Sequence, residues 1–133
     1  MSEYAIQEMI DALKAHLNEY LNTVWKVLGV LSVAIGWMVT SDASRLFFFE
    51  NQKLAVFVSI ILVLLMFTHI STLLELYRKS GVIRKKIAGQ VSVDIDAIVD
   101  TYRIRSVYPV VSIMVNSLLY LCLIALIKGS LFR

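Results

Sequence analysis

"LAVFVSIILVLLMFTHISTLLELYRKS", residues 54 to 80, decides the fold. Residues 54 to 74 hold no Asp, Glu, Lys or Arg. As a helix rising about 1.5 Å per residue, a run of roughly 20 such residues matches the thickness of a bilayer's hydrocarbon core. The stretch then closes on Glu75, Arg78 and Lys79, side chains that belong at a membrane surface. It reads as a transmembrane helix that leaves lipid at Glu75.

Two further stretches follow the same pattern. Residues 106 to 127 are free of these charges, and residues 20 to 41 are interrupted only by Lys26, close enough to one end for its ammonium to reach the headgroups while its stem stays in lipid. Of the 133 residues, 59% are hydrophobic and 17% charged, too apolar a balance for a soluble domain of this size. The expected fold is therefore all-α, a polytopic membrane protein with three spans (about 20–41, 54–74 and 106–127) in a single domain, residues 1–133.

The opening "MSEYAIQEMIDALKAHLNEY" lacks a basic start, a compact apolar segment and a small-residue cleavage site, so it is expected to stay on the protein rather than be removed as a signal peptide. Its apolar positions Ile6, Ile10, Leu13, Leu17, Tyr20 and Val24 recur at steps of four and three and draw a seam along one helix face. The polar side is net acidic, unlike the basic face of helices that lie on lipid. The seam is therefore read as a contact surface for protein. Nothing between Tyr20 and Asn22 breaks a helix, so one rod into the first span is expected.

Basic residues set the orientation. Seven of the 13 (Arg78, Lys79, Arg84, Lys85, Lys86, Arg103, Arg105) lie between the second and third spans. Cytoplasmic segments hold such an excess, which puts residues 75–105 and the N-terminus inside, and the 41–53 loop and C-terminus outside. Brevity and the lack of a targeting signal suggest a bacterial inner membrane. In the outer loop, Phe47, Phe48 and Phe49 predict a small interfacial helix capped by Ser41 or Asp42. In the inner segment the second-span helix is expected to weaken at Ser80 and Gly81. "SVDIDAIVDTYRIR", residues 92–105, predicts a short cytoplasmic helix capped by Ser92, with Asp94 and Asp96 in its first turn and Arg103 and Arg105 in its last. Its apolar residues Val91, Ile95, Ile98 and Tyr102 match the N-terminal seam in period, so the two helices are expected to pack together. Pro109 falls in the first turn of the third span, where a missing N–H is harmless.

Three sets of residues are candidates for function. Gly29, Ser32, Gly36 and Thr40 leave a shallow groove on the first span, and small residues let helices approach closely in lipid. Spans two and three are the nearest expected occupants of that groove, and a second copy of the chain is the next. His69, Thr72 and Asn116 are polar groups inside spans, costly enough there to need a partner across helices or a path to line. By distance from Glu75, His69 lies about 9 Å inside, nearer the rim than the bilayer centre. Arg78, Lys79, Arg84, Lys85 and Lys86 can meet anionic lipid headgroups, although the same charges also serve as the topological signal. The acidic N-terminal helix is a further expected partner for them.

Enzyme signatures are missing. Two histidines (His16, His69) and one cysteine (Cys122, inside the third span) assemble no metal set of known spacing, and the five glycines stand apart, with no phosphate-cradling loop. Asp94 and Asp96 lack the rest of a calcium loop. No catalytic residue, metal or cofactor is expected, and nucleic acid is not an expected partner for basic residues set beside a membrane without interleaved aromatics. What remains is a small non-enzymatic membrane protein acting by helix association, as an accessory or scaffold subunit of a membrane complex or as a homo-oligomer. The alternatives are a homo-oligomeric pore or membrane-perturbing effector lined by His69, Thr72 and Asn116, and an immunity protein that inhibits a pore-forming partner.

Overall fold

The structure, a computed structural model, describes residues 3–88 and 93–129. Every element among them is an α-helix: α1 (Glu3–Thr40), α2 (Asp42–Glu50), α3 (Gln52–Ile87), α4 (Val93–Thr101) and α5 (Val107–Gly129). Three of these, α1, α3 and α5, are long and apolar enough to cross a membrane. Their apolar side chains are exposed on several faces: Val33 is 75% exposed, Leu64 61% and Leu118 68%. A water-soluble bundle would leave such faces polar, whereas helices that are apolar all round suit a lipid surround.

The α1 rod is unbroken, as its sequence predicts, and ends where Ser41 turns the chain. Ser41 caps α2, its Oγ accepting from the Ser44 amide at 3.2 Å and from the Ser44 hydroxyl at 2.9 Å. Arg45 binds this corner: it pairs with Asp42 and donates to the carbonyls of Met38 and Val39, placing a cation at the α1 C-terminus where the helix dipole favours one. Of the three phenylalanines only Phe48 turns toward the core, while Phe47 and Phe49 are exposed.

The chain divides into two compact units, residues 24–70 with 112–133 and residues 1–23 with 71–111. The first has a core of Leu31, Met38, Ala55, Tyr120, Leu123 and Ile127. The second is centred on Leu13, Ile87 and Val99, all fully buried, with Met9, Ile10, Ile83, Ile95 and Tyr102 packed around them. The match in period between the N-terminal seam and the segment after residue 92 thus corresponds to a real contact, α1 against α3 and α4. At nine residues, α4 is too short to hold its shape alone and depends on that packing.

Three expectations for this second unit are corrected. The α3 helix does not weaken at Ser80 and Gly81 but runs to Ile87, because Ser80, Ile83 and Ile87 all turn inward and their packing outweighs the roughly 1 kcal/mol penalty of one helical glycine. Ile95 and Tyr102 of the expected seam pack into this core, but Val99 turns inward in place of Ile98, which is half exposed. Finally, α4 ends at Thr101, so Arg103 and Arg105 lie past it rather than in its last turn. Val91 and Ser92 fall outside the described residues.

Candidate functional site

The small-residue face of α1 lacks the within-chain occupant expected for it. Val27, Leu31, Ala34, Ile35 and Met38 turn into the core, which leaves Gly29, Ser32, Gly36 and Thr40 exposed. A Cβ built at Gly29 or Gly36 would meet nothing within 4 Å. Neither α3 nor α5 fills the groove, so the within-chain packing expected from the sequence is not what forms. The reason is geometric: the larger residues on the opposite side bury more area when they face the bundle. Thr40 also spends its hydroxyl on its own helix, donating to the Gly36 carbonyl at 2.8 Å.

The N-terminal seam has the opposite fate. Leu13 and Tyr20 are essentially fully buried, and Ile6, Ile10, Leu17 and Val24 are half-buried. Ile10 and Leu13 belong to the unit's own core, so this part of the seam is covered within the chain and is not a free partner surface.

Polar groups inside the apolar stretches divide into those satisfied locally and those that are not. Ser59 donates to the Ala55 carbonyl at 2.8 Å and Thr68 to that of Leu64 at 2.9 Å, the usual way a hydroxyl is accommodated in a lipid-facing helix. His69 and Asn116, buried to 7% and 1% exposure, differ: His69 Nε2 and both amide atoms of Asn116 find no hydrogen-bond partner among the described residues. His69 continues the inward stripe of Leu62 and Met66, and Asn116 that of Leu119 and Leu123. Ile60 and Ile124 line one groove between α3 and α5. Both polar side chains are buried within the same unit. Thr72 belongs to the other unit and is half-buried.

The basic run 78–86 is sorted by the helix into different directions. Lys79 pairs with Glu75 at 2.7 Å, and both border a groove with His16. Lys86 is exposed on another side. Arg84 and Lys85 line a second groove of about 360 Å³, Arg78 borders both grooves, and Arg103 reaches the second from the segment after α4. Arg84 donates to Asp100 at 2.9 Å, and Arg103 lies 3.7 Å from the same carboxylate oxygen. Among the described residues the run's ion pairs are with Glu75 and with Asp100 of α4, and of the acidic residues of α1 Glu19 lies near enough to Lys79 to favour its charged form. Arg103 is the member that sequence reading missed, because its approach depends on where α4 ends.

Among the described residues no three of His, Cys, Asp and Glu gather as metal ligands, and Cys122 is exposed on α5. Comparison with known protein families, curated proteins and solved structures finds no match to this chain.

Proposed function

We propose that this chain is an integral membrane protein without catalytic activity that works by helix association. It would act as an accessory or scaffold subunit of a membrane complex or as a homo-oligomer, with membrane lipids as its remaining contacts. In this reading the N-terminus and residues 75–105 face the cytoplasm, the α2 segment and the C-terminus lie outside, and the unit built on Leu13, Ile87 and Val99 is a small cytoplasmic bundle. The membrane is that of a bacterial cell.

The observation that carries the reading is the uncovered small-residue face of α1. Without hydrophobic drive between helices in lipid, association depends on close backbone approach, and beside exposed Ser32 the glycines Gly29 and Gly36 present the backbone where none of the described residues occupies it. Trp25 and Trp37, exposed on the same helix, supply broad surfaces beside it.

The test is purification from native membranes in mild detergent, with mass measurement of the intact particle. The wild-type chain is expected in an assembly, either of copies or with another membrane protein, and Gly29→Leu with Gly36→Leu is expected to release a monomer. A wild-type monomer without companions, or an assembly indifferent to both substitutions, refutes the reading.

A further inference from the structure

We infer that the groove between the end of α3 and the segment following α4 is a binding site for a phosphomonoester. It is walled by Arg78, Arg84, Lys85 and Arg103, with Ser80 and Gly81 between them, and no carboxylate lines it among the described residues. Asp100 stands beside it and is shared by Arg84 and Arg103, so it offsets one of the four charges, while Glu75, close to Arg78, is itself paired with Lys79. The surplus favours a doubly charged anion over a singly charged one.

The arrangement has the parts such a ligand needs. Guanidinium groups match phosphate oxygens as paired donors, and three of the four cations are arginines. Arg84 is held in place at the groove through its contact with Asp100. Gly81 keeps the floor open, since a Cβ there would meet nothing within 4 Å and the helix leaves the space to a ligand. Arg78 stands four residues past the charge-free run, about 6 Å along the axis, at headgroup depth, while Arg84 and Lys85 reach further out. The same chemistry could thus come from a lipid such as phosphatidic acid or from a phosphomonoester in water. The site does not depend on the association proposed above.

The test uses the full chain in phosphatidylcholine nanodiscs, read by phosphorus-31 NMR in two arms. One contains phosphatidic acid in the disc, and the other receives inorganic phosphate in solution. A shifted and broadened phosphatidic acid signal beside an unchanged phosphatidylcholine signal places the ligand in the membrane. A response of inorganic phosphate alone places it in water, and no response in either arm overturns the site.

Arg78→Gln and Arg103→Gln are each expected to weaken binding about tenfold or more, as loss of a charged hydrogen bond does. Lys14→Gln, which removes a cation from the same unit but not from the groove, is expected to change it about twofold or less. Gly81→Leu fills the groove without altering charge, on a helix that tolerates it, and is expected to abolish binding while circular dichroism is unchanged. Retained binding in Gly81→Leu overturns the site, and so does equal weakening by Lys14→Gln and Arg103→Gln, which marks diffuse attraction.

Discussion

Leu13→Ala offers the clearest test of how the second unit is held together. Leu13 is fully buried against Ile87 and Val99, on the face of α1 that supports α4. Truncation removes apolar carbon worth about 2.4 kcal/mol in transfer free energy. It also leaves a cavity that a junction of three helices closes only in part, for a total of about 2.5–5 kcal/mol. Since α4 has nine residues and little stability of its own, the loss should appear there first. The assay is amide hydrogen exchange of residues 95–101 in detergent or nanodiscs. Each 1.4 kcal/mol is tenfold, so protection should fall between about 50-fold and several-thousand-fold, or to the limit set by the local stability of α4. Ile98→Ala is the control: it lies on the same helix but is half exposed, and should change protection by about fivefold at most. If Leu13→Ala leaves α4 as protected as Ile98→Ala does, then α1 is not what holds α4, and the core described here is wrong.

Asn116→Leu should raise stability by about 1–3 kcal/mol in a reversible unfolding assay, because it replaces a buried amide with no hydrogen-bond partner among the described residues by an apolar group of similar size. A loss instead would reveal a partner for Asn116. Ser41→Ala should cost about 1 kcal/mol by removing the α2 cap, and the Ser44 amide should show it as faster exchange. Asp100→Asn removes the carboxylate shared by Arg84 and Arg103; with both sides partly exposed the loss in stability should stay below about 1 kcal/mol and shrink in high salt. A larger, salt-independent loss would mean that the pair is far better shielded than its exposure indicates.

Much of this architecture can be read from the residues because apolar runs of membrane-spanning length are rare outside membranes, and because Ser41 beside Asp42 is a strong helix start. The α1 rod follows equally from the absence of any breaker near Tyr20. Other features require the third dimension. Ser80 and Gly81 look like a helix end, yet their weak penalty is overcome by the burial of Ile83 and Ile87, which only packing reveals. Ile98 and Val99 are adjacent and equally apolar, so pattern alone does not choose which faces inward. The small residues of α1 announce a close-packing face but not its occupant, which depends on how much area the opposite face buries. That His69 and Asn116 are both buried in one unit depends on which faces of α3 and α5 turn inward, which their sequence alone does not show. The cationic groove needs Arg103, far along the chain from Arg78, and is therefore invisible to any reading of the basic run by itself.

Single-cysteine accessibility mapping tests the central claim, three crossings of the membrane, most directly. In a Cys122→Ser background, cysteines are placed one at a time at Tyr4, Ala43, Ala88 and Lys128, and intact cells are treated with a membrane-impermeant maleimide. Positions 43 and 128 should label from outside, and positions 4 and 88 only after the membrane is opened. Finding positions 4 and 128 on the same side, or 43 and 88 on the same side, contradicts the account.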